Sequence, residues 1–131
     1  MFQTDLTRAH VQESLAIPRL EACMPGSRAW VSTLSPFICD LWWRWPDQKP
    51  IGVEQKTDYK WTKTGNVAVE PKSIKVPYVL YHLHDSDYWC LYETETLLSL
   101  CDMSPHVLGG DFMADLALIP ADDFITNAFL I

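Results

Sequence analysis

The stretch Ile51-Gly52-Val53-Glu54-Gln55-Lys56-Thr57-Asp58, followed closely by Thr64-Gly65-Asn66-Val67-Ala68-Val69-Glu70, decides how the rest of the chain is read. The apolar start predicts a strand over Ile51 to Lys56. Side chains alternate between the faces of a strand, so Glu54 and Lys56 point the same way. A carboxylate beside an ammonium at a strand end is suited to holding a metal ion and a phosphate together. The carboxylate supplies a hard oxygen ligand for Mg²⁺. The ammonium stabilises charge on an attacked phosphate or orients the attacking water. A Glu-x-Lys pair alone is common and usually just a solvated pair, so its weight comes from the acids that precede it.

Two of these acids stand upstream. Phe37 to Trp45 reads as a strand carrying Asp40, with Pro46 to Pro50 as the hairpin loop into the next strand. Thirteen residues separate Asp40 from Glu54. Hairpin pairing over that length brings both carboxylates to one end of the sheet, where they repel unless a cation sits between them. Before this, Thr4 or Asp5 caps a helix whose apolar face runs through Leu6, Ala9, Val11, Leu15, Ala16 and Ile17. Pro18 is expected to kink or end it, or to start a second short turn over Arg19 to Cys23. Glu13 on that helix is either aimed over the sheet end at the metal or solvent-facing, and Glu21 is its rival.

A helix with Glu13, a strand with Asp40 and a strand with Glu54-x-Lys56 resemble the PD-(D/E)XK nuclease superfamily. The resemblance covers roughly Thr4 to Phe124 and is nearest to small resolvase-like and phage-type members, through Glu54-x-Lys56-x-Asp58, Thr64-Gly65-Asn66 and Glu70. It implies an α/β (α+β) fold of the restriction-endonuclease kind, with a mixed central β-sheet flanked by helices. It also implies a Mg²⁺-dependent endonuclease, with Mn²⁺ substituting. Asp40, Glu54 and the main-chain carbonyl of Gln55 would be the metal ligands, Lys56 the catalytic cation and Glu13 an outer ligand. Cleavage would leave 5′-phosphate ends, on DNA more than on RNA. Asn66 and Glu70 would help arrange substrate and metal. Ser73-Ile74 without a following glycine, and Pro77 where the family has an acid, depart from the pattern.

Bulk properties fit one domain spanning residues 1–131. Hydrophobic residues make up 48% and charged residues 21%, ordinary for a globular protein. The polar start, Met1 to Arg8, gives no sign of a signal peptide, and a cytoplasmic protein is expected. The net charge is −7, whereas nucleic-acid binders are more often basic. The charge is unevenly spread: Arg44 to Lys75 holds seven basic and four acidic residues, while residues 76–131 hold nine acids and no Lys or Arg. The middle is thus the basic part, and Lys60, Lys63, Lys72, Arg44 and Asn66 are the expected nucleic-acid contacts. A chain this small that cuts duplex DNA usually works as a homodimer. The competing reading is a non-catalytic protein on the same scaffold, binding a host protein through its acidic C-terminal half.

Further strands are expected at Arg28 to Leu34, Val67 to Glu70, Pro77 to Leu83, Tyr88 to Glu93 and Ala114 to Ile119. A short helix from Glu95 to Cys101 would be capped by Thr94, and Ser104-Pro105 and Gly109-Gly110-Asp111 would punctuate a loop. Trp42, Trp43 and Trp45 are core or interface residues, or a platform on which an unpaired base stacks. Cys23, Cys39, Cys90 and Cys101 are widely spaced and read as reduced thiols. A zinc site from His82, His84 and two cysteines is the weaker alternative, because His-x-His is what one face of a strand gives.

Overall fold

The computed structural model describes residues 2–33, 39–103, 108–110 and 113–131. The fold is mixed α+β, built on a six-stranded mixed sheet in the order β1-β2-β3-β5-β6-β9. Helix α1, Phe2–Cys23, packs on one face. Strands β1 (Arg28–Val31) and β2 (Leu41–Arg44) form an antiparallel pair, and β2 turns back into β3 (Ile51–Asp58). The chain then leaves the sheet through α2 (Trp61–Thr64), β4 (Asn66–Val69) and a short 3₁₀ turn at Pro71–Ser73. It returns as β5 (Tyr78–Leu83), parallel to β3, and β6 (Trp89–Glu93) pairs back antiparallel. Helix α3 (Thr94–Asp102), strands β7 (Leu108–Gly110) and β8 (Met113–Pro120), helix α4 (Ala121–Asn127) and the edge strand β9 (Phe129–Leu130) complete it. A second, three-stranded sheet has the order β4-β8-β7.

The sheet face on which a residue lands follows from its strand parity, and two cores result. On the α1 side, Ala16 and Leu20 pack against Leu41, Trp43, Val53, Leu80 and Leu91. On the other side, Val79, Tyr81, Leu83 and Tyr92 pack against Val67 and Val69 of β4, Ile119 of β8, Leu97 of α3 and Phe124 of α4. Burying a Val, Leu or Phe side chain is worth roughly 1.5–3 kcal/mol, so β4 and β8 are fixed by their apolar faces although neither joins the main sheet.

Several expectations are corrected here. Helix α1 does not end or break at Pro18 but continues to Cys23. Proline costs that turn one hydrogen bond, and burial of Ala16 and Leu20 on either side of it offsets the loss. Thr94 does not cap α3; it is the first helical residue, and its hydroxyl donates to the Val76 carbonyl. Gly109 and Gly110 belong to β7 rather than a loop. Leu34, Phe37 and Ile38, expected in strands, and Ser104, Pro105 and Asp111 lie outside the described residues. The zinc alternative falls because His82 is buried with both ring nitrogens engaged, Nδ1 with Gln12 Oε1 at 2.7 Å and Nε2 with the Ser86 carbonyl at 3.0 Å. Trp43 is core, its indole donating to Ser27 Oγ, and Trp45 packs edge-on against it. Among the described residues no helix is long and apolar enough to cross a membrane.

Candidate active site

Strand β3 outruns its neighbour. The last β2 pairing is Leu41 with Val53, while the β5 pairings run from Val53 to Asp58. Beyond Val53 no strand among the described residues pairs with β3 on its β2 side, and main-chain groups on such an edge need other partners. Asp40, one residue before β2, meets this need: its Oδ2 accepts a hydrogen bond from the Gln55 N–H at 2.9 Å. The same register puts Asp40 beside Glu54. The sequence expectation that the hairpin brings these two carboxylates to one end of the sheet therefore holds.

Glu54 and Lys56 share the sheet face of their β5 partners Val79 and Tyr81. Lys56 Nζ lies 3.7 Å from Glu54 Oε2. Glu13 reaches the group from α1, within electrostatic range of Asp40, with His10 Nδ1 3.6 Å from its own Oε1. Glu21 is excluded as the rival, because its Oε2 accepts from the Ala29 N–H at 3.0 Å and so holds the start of β1.

All three carboxyls are pushed above the usual carboxylate range, chiefly by burial. For Asp40 the Gln55 N–H and the Lys56 charge work in the opposite direction. For Glu54 the Lys56 ammonium lowers the value and Asp40 raises it. For Glu13 Asp40 adds to the rise, and His10 opposes it. Asp40 thus raises both of the other acids, and Lys56 supplies the compensating charge for Asp40 and Glu54. Acids whose proton affinity is raised by burial and by one another are frequent at functional centres, as they are in ionic networks.

The donors are hard oxygens, which suits Mg²⁺, an ion commonly held by one or two carboxylates plus substrate phosphate. Among the described residues no three His, Cys, Asp or Glu side chains form a ready-made metal cage. The donor set therefore fits a cation completed by its ligand, not a closed structural site. The Gln55 side chain folds along its own strand, donating to the Lys56 carbonyl at 2.8 Å and Thr57 Oγ1 at 3.0 Å.

The other expected residues are sorted by the fold. Asp58 ends β3 and orders the next loop: Oδ1 accepts from the Lys60 N–H at 2.8 Å and Oδ2 from the Ala68 N–H at 3.0 Å. Lys60 and Lys63 are exposed on the α2 segment just past this end of β3. The left-handed turn position is Gly65, at φ 75°, and not Asn66, which opens β4 with its amide donating to the Thr64 carbonyl at 3.2 Å. Glu70 precedes the 3₁₀ turn and its carbonyl accepts from the Ser73 N–H and hydroxyl. Lys72 is exposed on that turn. Arg44 is not brought to the site: it stands at the far end of β2, four residues from Asp40 and so about 13 Å along the strand.

Sequence reasoning missed Arg8 and Tyr59. A cleft of about 330 Å³ between α1 and the free end of β3 is lined by both, with Gln12, Gln55, Lys56 and Thr57. No local motif marks Arg8; only the packing of α1 on β3 carries it there. A larger cavity of about 760 Å³ lies elsewhere, between α1 and the C-terminal strand, lined by Leu15, Arg19, Trp89 and Phe129 among others. It is mostly apolar and touches none of the site carboxylates.

No protein-family model matches the sequence, and no curated protein is significantly similar to it. Among solved structures, the chain is similar to a bacterial homing endonuclease, I-Ssp6803I, with a TM-score of 0.56 at 13% identity. The match covers 85% of this chain and 71% of that one. At this identity the likeness establishes the shared fold.

Proposed function

We propose that this protein is a divalent-metal-dependent nuclease of the PD-(D/E)XK type, hydrolysing phosphodiester bonds in DNA. The observation that carries the reading is the convergence of Glu13, Asp40, Glu54 and Lys56 where β3 runs past β2. The fold shared with a homing endonuclease supports it.

In this reading Asp40 and Glu54, with the Gln55 carbonyl, hold a Mg²⁺ ion, which supplies Lewis acidity toward the phosphate and an acidified water when bound. Lys56 places its ammonium against charge that grows on the phosphate in the transition state, where such interactions raise rate rather than affinity. Glu13 accepts hydrogen bonds from water at the edge of the centre. Lys60 and Lys63 meet the backbone on one side of the cut. We further propose a homodimer. The exposed apolar residues Val11, Leu15, Trp30, Phe129 and Leu130 supply surface for it, whereas Trp43 and Trp89 are buried.

The test is cleavage of supercoiled plasmid and of labelled duplex and branched oligonucleotides with Mg²⁺ or Mn²⁺, run beside Lys56→Ala. Metal-dependent cutting that Lys56→Ala loses is the expected result. A wild-type chain that cuts no DNA or RNA, yet captures a host protein unaffected by Lys56→Ala, establishes the binding-protein reading instead.

A further inference from the structure

The cleft beside Lys56 has chemistry of its own. Arg8 lies on its rim, exposed, with the guanidinium carbon 5.3 Å from the centre of the Tyr59 ring. That is within the range of a cation–π contact, which holds a cation in place without neutralising it. Tyr59 is itself braced, its ring 4.6 Å from that of His84. Among the described residues no carboxylate pairs with Arg8, whereas Lys56 is shared with Glu54. The polar floor is already engaged: Gln12 is bonded to His82, and the Gln55 amide to its own strand. An incoming anion therefore meets two cations, the planar fork of Arg8 and the ammonium of Lys56, and among the described residues no charged acid lines the cleft.

We infer that Arg8, held by Tyr59, binds a backbone phosphate of the nucleic acid next to the one that is cut. The inference rests on the nuclease reading for its orientation, and it adds a binding residue on α1 that fixes the register of the strand on Lys56. A guanidinium suits this task because its donors match two phosphate oxygens at once. Clamping the neighbouring phosphate converts binding into positioning of the scissile bond.

The experiment is fluorescence anisotropy of a labelled DNA duplex without metal, titrated with salt, beside cleavage kinetics with Mg²⁺. Arg8→Ala is expected to weaken binding several-fold and to flatten the salt dependence by about one phosphate contact. Arg8→Lys is expected to restore the salt slope, because the charge returns, but only part of the affinity. In cleavage, Arg8→Ala should raise KM more than it lowers kcat. Because Arg8 is outside both cores, loss of fold is not expected, and Arg8→Lys controls for it. Duplexes with 5′-hydroxyl and 5′-phosphate ends should show the same loss. A loss confined to 5′-phosphate ends assigns the site to a terminal phosphate and overturns the inference. So does an unchanged slope in Arg8→Ala when the wild type cuts, which leaves the nuclease reading standing. Binding that depends on Arg8 without any cleavage upholds the phosphate site and removes the nuclease. No DNA binding by the wild type removes both.

Discussion

The two halves of β3 are one continuous strand under opposite rules. Ile51 to Val53 lie against β2, and Val53 is fully buried in the α1-side core. Among the described residues Glu54 to Asp58 pair with β5 and not with β2; they are only partly buried, and their side chains are polar or charged. Val53, paired on both sides, is where the strand passes from one regime to the other. In the first half identity is decided by packing. In the second, side chains stand at partial burial, where a carboxyl finds a partner or holds its proton more tightly. The comparison teaches that the site forms where the described pairing of β2 with β3 stops: Asp40, the residue before β2, takes the Gln55 N–H with its side chain.

The sharpest way to break this comparison is to substitute both halves and ask which property fails. In the polar half, Lys56→Ala is expected to lower the cleavage rate by about 10²–10³-fold, as for loss of another preorganised electrostatic stabiliser. Thermal unfolding should be nearly unchanged, since Lys56 is half-exposed and its pairing with Glu54 is worth at most about 1 kcal/mol. Glu54→Ala should lose activity by a different route, with partial recovery at high Mg²⁺. Full activity in both variants places the chemistry elsewhere.

In the apolar half the outcome should invert. Leu41→Ala, opposite Val53 and fully buried, is expected to cost about 2–5 kcal/mol of stability. Activity per folded molecule, measured well below the melting temperature, should stay close to wild type. A stable but inactive Leu41→Ala would mean that the two halves are coupled through the register of Asp40.

Asp58 sharpens the boundary on the far side. Its carboxylate takes two main-chain N–H groups, from Lys60 and Ala68, tying α2 and β4 to the end of β3. Both are near solvent, so water replaces much of what Asp58→Ala removes. A loss of about 1 kcal/mol is expected, read by denaturant unfolding, with Asp58→Asn losing less. Protease cutting in the Tyr59–Gly65 segment should rise in step. Unchanged protection there would show that α2 is held by the Trp61 indole bond to the His84 carbonyl instead.

How much of this was legible in the sequence follows from the kind of signal involved. The period-two pattern of β3 and the hairpin loop Pro46–Pro50 placed Glu54, Lys56 and Asp40 together, because both are local features. The charge count found the basic middle of the chain but not its geometry, so Arg44, at the far end of β2 from Asp40, was grouped with Lys60 and Lys63 just past the end of β3. Glu13 against Glu21 could not be decided by helical phase; only the docking of α1 shows that one faces Asp40 and the other caps β1. Arg8 was invisible for the same reason. Pro18 does not end α1, because the rule that proline ends helices is a local cost, and burial of Ala16 and Leu20 outweighs it.

The smallest expected effect tests the cost of the polar half directly. The carboxyls of Glu13, Asp40 and Glu54 hold protons more tightly in the folded protein than in the unfolded chain. The folded state then binds more protons than the unfolded one, so these groups lower stability as pH rises above the ordinary carboxylate range. They stop doing so as pH falls far enough to protonate them in both states. This is the reverse of the usual behaviour of paired acids. Glu54→Gln removes one buried charge and its repulsion by Asp40, while giving up a weak pair with Lys56. Burial is the larger influence, so metal-free Glu54→Gln should melt a few degrees above wild type at pH 7, though inactive. The gap should close as pH is lowered through the carboxylate range, and also when Mg²⁺ is added to the wild type. Calorimetry of both proteins across that range decides it. A Glu54→Gln variant that melts lower than wild type at neutral pH would show that the Lys56 pair outweighs burial, and that the acids at the open edge of β3 stabilise the fold instead of straining it.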